Sequence, residues 1–248
     1  MIALRSTEEI EAIRKAGAIV AQALDTLRKR ARIGVTTAKL DAIAADVILS
    51  AGGIPAFKGY RGYPANICTS VNEEVVHGIP SPRKLKDGDI LSVDVGVKLG
   101  DYFADAALTV GIGQVSDGAA KLMRATHDSL QRGIELAKPG NRLSDISWAI
   151  QETVESRGFS VVKAFVGHGI GTKIHEEPEI PNFGKPGKGA RLEAGMVLAL
   201  EPMVNAGTYE VEVLEDGWTA VTKDRSLSAH FEHTIAITDS GAQVLTAL

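Results

Sequence analysis

The sequence predicts an α+β fold built from two related halves, with antiparallel strands covered by helices on one side, and three observations carry that prediction. A pair of helical segments punctuated by glycine occurs twice, once before residue 54 and once after residue 115. Each pair leads into strand-like segments, the clearest running from Leu91 to Leu108. Aligning Gly34 with Gly140 sets Leu40 on Ile146 and Gly52 on Gly158, and a small further shift sets Ala56-Phe57 on Ala164-Phe165. Each half then reads helix, helix, strands, a pseudo-twofold arrangement. One domain over residues 1–248, with halves of about 1–115 and 116–248, is the expected organisation.

Ser6 with Glu9 three residues on has the form of a capping box, and Ile10, Ile13, Gly17, Val20, Leu24 and Leu27 follow at helical spacing. This first helix ends before Gly34. Thr36 or Thr37 caps the second, whose apolar face is Leu40, Ile43, Val47 and Ile48 and which stops at Gly52-Gly53. Residues 54–82 carry Pro55, Pro64, Pro80 and Pro82 and read as loops and short strands, including a β-like run from Asn66 to Val71. After the central strands a third helix, with Leu122, Met123, Leu130 and Ile134, runs from Ser116 to Lys138-Pro139-Gly140. The fourth carries Leu143, Ile146, Ile150 and Val154 and ends at Gly158.

From Leu91 to Lys98 apolar Leu91, Val93, Val95 and Val97 alternate with Ser92, Asp94, Gly96 and Lys98, and a second run covers Tyr102–Leu108. A tight turn centred on Leu99-Gly100 would set Asp94 directly opposite Asp105. Facing carboxylates repel, and burying one unpaired costs several kcal/mol. Two readings stay open: a cation sits between them, where small neighbours such as Gly96 and Ala107 leave room, or the register differs and both are solvated at a strand edge.

The formal charge of −4 over 248 residues gives a nucleic-acid or anionic-membrane partner no whole-chain support, and no nucleic-acid-binding motif stands out. A 44% apolar composition indicates a globular chain. No apolar run reaches membrane-spanning length, the N-terminus lacks a signal pattern, and the single Cys68 suits a reducing compartment, so a cytoplasmic protein is expected.

The second half has misplaced charges of its own. Met196–Leu200 leads into Glu201-Pro202, and Glu232 opens an alternating run to Ile237, while His168 lies within Gly167-His168-Gly169-Ile170-Gly171. Asp94, Asp105, His168, Glu201 and Glu232 together offer four carboxylates and an imidazole, a set that suits Mn, Fe, Co or Zn. Four ionised carboxylates balance two divalent cations, and two such ions suit hydrolysis. Taken singly, each has a plainer reading as a solvated or structural residue. The glycine run lacks the dinucleotide-binding spacing.

These residues lie in motifs that closely resemble type I methionine aminopeptidase of the short bacterial kind, in the pita-bread peptidase family M24. The resemblance covers essentially the whole chain, through Ser70-Val71-Asn72-Glu73, His77-Gly78-Ile79-Pro80, Ser92–Gly96, Asp105-Ala106-Ala107, Gly167–Gly171, His175-Glu176-Glu177-Pro178, Glu201-Pro202-Met203 and Ser228–Thr234. It implies a pita-bread fold, metal ligation by Asp94, Asp105, His168, Glu201 and Glu232, and removal of the initiator methionine when the next residue is small. It further implies a bridging hydroxide attacking the scissile carbonyl, Glu201 as proton shuttle, His175 on the carbonyl oxygen and His77 on the substrate backbone. A methionine pocket from Tyr60, Tyr63, Cys68, His77 and Trp218 is implied as well, aromatic and soft groups that suit a thioether.

Phe57 and Ile174 depart from residues common in relatives, Ile174 standing where an aromatic often lines the pocket. Some members bind a monovalent cation at positions matching Asn72, Glu74 and Ser228, through backbone and hydroxyl oxygen. His127 reads as a surface residue, and His230 and His233 flank Glu232 in at most a supporting role. The family's task implies peptide or nascent-protein N-termini as partners and is compatible with ribosome contact and a monomer. Two rivals remain, a proline-directed peptidase of the same fold, which usually carries a further N-terminal domain, and a non-catalytic binding module, which usually lacks ligands.

Overall fold

Helix α1 (Thr7–Arg30) starts where the capping box puts it, with the Ser6 hydroxyl accepting from the Glu9 amide and Glu9 Oε2 accepting from the Ser6 amide. Thr36, rather than Thr37, caps α2 (Thr37–Ser50). In the computed structural model, which describes residues 2–247, the chain then continues through β1 (Ile54–Pro55), a single 3₁₀ turn at Tyr60–Gly62, β2 (Cys68–Val71) and β3 (Glu74–Val76). The long strands β4 (Ile90–Leu99) and β5 (Tyr102–Gly111) follow, then α3 (Asp117–Leu136), α4 (Leu143–Glu155), β6 (Ser160–Val161), β7 (Gly167–Gly169) and β8 (Glu176–Ile180). The last segments are β9 (Val197–Leu200), β10 (Met203–Asn205), β11 (Val211–Val213), β12 (Ala220–Thr222), β13 (Ser228–His230), β14 (Glu232–Thr238) and β15 (Gly241–Val244). No helix among the described residues is long and apolar enough to cross a membrane.

One antiparallel sheet organises the molecule, with strand order β1-β4-β5-β14-β9-β7-β8, β2 added on β4 and β15 on β14. Helices α1 and α2 pack on its first half, where Ile13, Val20, Leu27, Leu40 and Ile48 meet Leu91, Val93, Val95 and Val97. Over the second half α3 and α4 bring Leu122, Leu130, Ile146 and Ile150 against Leu198, Leu200, Ile235 and Ile237. Two small three-stranded sheets, β13-β10-β6 and β11-β12-β3, stand beside the main one. They come from short segments in which no period is long enough to register.

The register of the central hairpin corrects the expected one. Asp94 faces Ala107 and Asp105 faces Gly96, so the aspartates are diagonal neighbours instead of directly opposed. The turn is Gly100-Asp101, flanked by the pair Leu99–Tyr102, because Gly100 at φ +60° supplies the positive φ that a two-residue hairpin wants at its first central position. A shift by two residues keeps both side chains on the expected face.

The halves repeat one another in their backbone bonds. The Gly34 amide donates to Leu85 and the Leu85 amide to Val35, as Gly140 does to Leu192 and Leu192 to Asn141. Likewise Gly88 donates to Ile112 and Ile112 to Asp89, as Gly195 does to Ile237 and Ile237 to Met196. Counted from Gly88 and Gly195, Asp94 and Glu201 occupy equivalent positions.

Candidate metal centre and active site

Five adjacent strands each deliver one of the five expected ligands: β4 Asp94, β5 Asp105, β14 Glu232, the end of β9 Glu201, and β7 His168. Register explains why they converge. Asp94 and Glu232 both pair with Ala107, while His168 and Thr234 both pair with Ala199 and Asp105 pairs with Gly96. Glu201 follows Leu200, which pairs with His233. The ligands thus occupy neighbouring cross-strand rows of one face, with the small Ala107 and Ala199 between them, while the missing side chain of Gly96 admits the Phe57 ring. His168, expected in a glycine loop, lies in a short strand whose flanking Gly167 and Gly169 have no room for a Cβ: one on Gly169 would fall 2.1 Å from the Glu177 carbonyl oxygen.

One ligand atom each from Asp105, His168 and Glu232 lie within 4.8 Å of one another. His168 Nε2 is 3.5 Å from Glu201 Oε1 and 3.6 Å from Asp105 Oδ2. His168 Nδ1 donates to the Gly169 carbonyl at 2.9 Å, which leaves the Nε2 lone pair facing the carboxylates, the tautomer a metal ligand needs. Burial lowers the His168 pKa to about 4. Burial also pushes the carboxyls of Asp94, Glu201 and Glu232 well above the usual range, helped by the neighbouring carboxylates, and raises Asp105 to about 6. Thr234 supports Asp105, its hydroxyl donating to Oδ1 at 3.0 Å. Asp94 Oδ1 is buried without any hydrogen-bond partner. A buried carboxylate oxygen with no donor is costly unless a cation compensates it, and an oxygen-rich set with one imidazole fits a divalent metal.

All eleven residues expected in the site line one cavity of about 170 Å³, and Phe57 and Arg61 join them. On one side the buried Tyr63 ring meets Trp218 edge-on at 5.1 Å, and the Tyr63 hydroxyl is shared between the Ile67 and Gly78 carbonyls. Trp218 comes from the β11–β12 turn, where Asp216 accepts from the amides of Trp218 and Thr219. His77, at φ +62°, is edge-on to Phe165 and Trp218, and burial lowers its pKa. At the mouth the His175 ring lies 4.3 Å from that of His168, and its Nδ1 is 3.0 Å from the Tyr60 hydroxyl. Desolvation and then the neighbouring His168 lower the His175 pKa to about 4, so the ring is neutral at pH 7.

Other expectations divide. Ile174 is 3% exposed and lines a neighbouring hollow with Ile54 and Phe103 that shares Tyr60 and His175 with the cavity, whereas Phe57 is part of the cavity wall itself. His230 is buried with Nε2 unpartnered 3.8 Å from Glu201 Oε2, whereas His233 turns toward Thr246 and His127 packs on Phe231. Around the expected monovalent site the side chains are engaged: Asn72 with Asp89 and Ile90, Glu74 with Arg83 and Val71, Ser228 with Asn205. Arg61 and Thr234 were not singled out from sequence. The signals available were the position of Arg61 between two pocket tyrosines and the period-two spacing of Thr234 from Glu232.

A sequence model of metallopeptidase family M24 matches residues 11–239. The chain is 54% identical over 248 residues to a methionine aminopeptidase of Clostridium perfringens, covering 100% of both proteins. The crystal structure of a methionine aminopeptidase from Thermotoga maritima superposes with a TM-score of 0.99 at 49% identity, covering 100% of both chains. A prolidase from Pyrococcus furiosus shares the fold at a TM-score of 0.77 and 23% identity, over 99% of this chain and 65% of that one.

Proposed function

The chain belongs to metallopeptidase family M24, among its methionine aminopeptidases, and from that membership we propose that it removes the initiator methionine from proteins whose second residue is small, using a dinuclear metal centre. The observation that carries the metal reading is the convergence of Asp94, Asp105, His168, Glu201 and Glu232 from adjacent strands around an unpartnered Asp94 oxygen. Two divalent ions held there would supply Lewis acidity and a water acidified toward neutral pH, with Co, Mn, Fe and Zn all compatible with the donor set.

The protein's own groups do the rest. Glu201, with one oxygen toward His168 and the other toward His230, takes the proton of the attacking water and passes it to the leaving amine. The Tyr60 hydroxyl lies 3.0 Å from His175 Nδ1; in the tautomer this role needs, it donates there and the neutral ring carries its proton on Nε2, offered to the carbonyl oxygen as charge develops. His77 holds the substrate backbone near the scissile bond. Tyr60, Tyr63, Cys68 and Trp218 receive the methionine side chain, and a cavity below the roughly 300–1,000 Å³ of larger ligand pockets suits a single side chain.

The same reading makes residues 1–248 one catalytic domain, a cytoplasmic monomer acting on peptide or nascent-protein N-termini, with the ribosome as a further contact. A monovalent cation near Asn72, Glu74 and Ser228 would rely on backbone carbonyls, since the side chains are engaged.

The test is peptide cleavage by chelator-treated protein with Mn, Co, Fe or Zn restored, comparing Met-Ala-Ser, Met-Lys-Ser and Ala-Pro-Ser. Metal-dependent release of methionine from Met-Ala-Ser, far faster than from Met-Lys-Ser, is expected. Release of alanine would move the protein to the proline-directed branch of the fold, and binding of two metals without cleavage would make it a binding module.

A further inference from the structure

In the motif His175-Glu176-Glu177-Pro178 the proposed chemistry uses His175 and leaves the adjacent Glu176 without a role. It is the best-connected carboxylate near the site. Glu176 Oε1 accepts from the Thr172 amide at 2.7 Å, the Thr172 hydroxyl at 3.0 Å and the Lys173 amide at 3.0 Å, so it closes the loop between β7 and β8 on itself. Arg5 reaches the same carboxylate from the segment before α1, with Nη2 at 2.8 Å from Oε1 and 2.6 Å from Oε2. The pair is largely buried, with side chains 11% and 14% exposed.

The guanidinium also fills the space over Gly171, where a Cβ would fall 2.5 Å from Nη2, and the Gly171 carbonyl accepts from the Phe103 amide on β5. Arg5 is itself fixed, its amide donating to Gly195 at 2.7 Å and its Nη1 lying 3.4 Å from Glu9. The loop 171–175 is therefore tied through Gly171, Thr172 and Lys173, to β5 at its start and to the Glu176 carboxylate just beyond its end. Its last residue is His175, which precedes Glu176 and sends its ring the other way, into the cavity.

We propose that Arg5 and Glu176 form a strut that positions His175, holding its ring where Tyr60 fixes Nδ1 and where the other nitrogen faces the scissile carbonyl. The inference rests on the proposed role of His175. Neither strut residue is a candidate ligand or lines the cavity of about 170 Å³; both line the larger cleft beside it with His168 and His175, and the strut acts on His175 through the loop. A charge-assisted pair in which one guanidinium nitrogen meets both carboxylate oxygens, shielded from water, is a stiff link, and a displacement of about 1 Å of a catalytic group can cost about a hundredfold in rate. The plainer alternative is a latch that only holds the N-terminal segment to the body of the protein.

The two are separated by kinetics on the metal-loaded enzyme. Arg5→Met is expected to lower kcat on Met-Ala-Ser about ten- to a hundredfold with KM and metal content unchanged. Arg5→Lys, which keeps the charge and one donor nitrogen for Glu176 but loses the reach to Glu9, should recover most of it. Glu176→Gln supplies a second route should Arg5→Met fold poorly, and is expected to show the same loss in kcat with KM held. In a His175→Ala background, Arg5→Met should add no further loss, because the group it positions is gone. A kcat unchanged in both Arg5→Met and Glu176→Gln, or a loss that multiplies with that of His175→Ala, would overturn the strut and leave the latch. A fully active His175→Ala would instead remove the role of His175, and the strut with it.

Discussion

The two halves of this protein share a backbone frame and one equivalent pair of carboxylates, and differ in what they add around the cavity. Gly34 and Gly140, Gly52 and Gly158, and Gly88 and Gly195 take the same positive-φ turns, and the same backbone bonds recur around the first and last of these pairs. Asp94 and Glu201 are equivalent in that repeat. In the first half β4 and β5 are joined by the two-residue turn Gly100-Asp101. In the second half β9 and β14 are separated by residues 201–231, which build β10 to β13 and bring Trp218 to the cavity. Beside β9 the second half sets β7, as the first sets β2 beside β4, and this strand and the loop after it carry His168 and His175. The repeated frame thus supplies one equivalent pair of carboxylates, the second half adds His168, His175 and Trp218, and the first-half segment 54–82 supplies Tyr60, Tyr63, Cys68 and His77. Metal capacity and side-chain selection have separate structural origins.

The largest effect that would test this division is on the equivalent pair. Asp94→Asn and Glu201→Gln should each weaken binding of at least one metal and reduce turnover by roughly a thousandfold, more than the about 10- to 100-fold typical of residues that only support a ligand. Metal content by elemental analysis, alongside kcat, checks both. Unchanged metal content and activity in either variant would break the equivalence.

Metal removal comes next. In the stripped protein Asp94, Glu201 and Glu232 have carboxyl pKa values raised by burial, then by one another, and Asp105 is raised to about 6. Carboxyls raised in the folded state hold protons that the unfolded chain has already released, so stripped-protein stability falls as pH rises above the ordinary carboxylate range. Metal competes with those protons and binds more tightly as pH rises. The melting-temperature gap between metal-loaded and stripped protein should therefore widen from pH 5 to pH 8, with about 2.7 kcal/mol of stabilisation when free metal is a hundredfold above its Kd. A gap independent of pH would take these carboxylates out of the metal site.

How much of this was legible in the sequence follows the same division. Long periodic segments gave all four helices and the central strands, since capping residues and apolar spacing act locally and repeatedly. The hairpin register came out displaced by two because Gly100 can serve either central position of a turn; only the paired strands show that it takes the first. The displacement left the facing-aspartate argument standing in substance, because an even shift preserves the face. Short strands such as β3, β11 and β12 carry too few residues for a period, and their place is fixed by pairing with distant chain. The cavity was harder still. Tyr60, Tyr63, Cys68, His77, His175 and Trp218 became candidates through family resemblance, because no local pattern says that a turn near residue 217 will meet one near residue 61.

Trp218→Ala sharpens the comparison from the other half. The β11–β12 turn that carries it has no partner between β4 and β5, so its loss should leave metal content intact while enlarging the cavity. The expected cost is roughly ten- to a hundredfold in kcat/KM for methionyl peptides, with discrimination against leucyl peptides reduced. Loss of metal together with selectivity would mean that the insertion also shapes the centre.

The smallest effect concerns the helices that begin the two halves. Ser6 and Ser116 cap α1 and α3 through the amides of Glu9 and Ala119, at 3.3 and 3.2 Å. At Ser6 a returning bond from Glu9 Oε2 completes the box, whereas Ser116 has no such partner. Alanine at either position leaves an amide of the first turn without its side-chain acceptor and should cost about 1 kcal/mol. The Glu9 bond to the Ser6 amide survives Ser6→Ala, so that substitution should cost no more than Ser116→Ala despite the fuller motif. Denaturant midpoints on metal-loaded protein, with unchanged m-values, measure both. A markedly larger loss from Ser6→Ala would show that the capping hydroxyl also holds the segment from which Arg5 reaches Glu176.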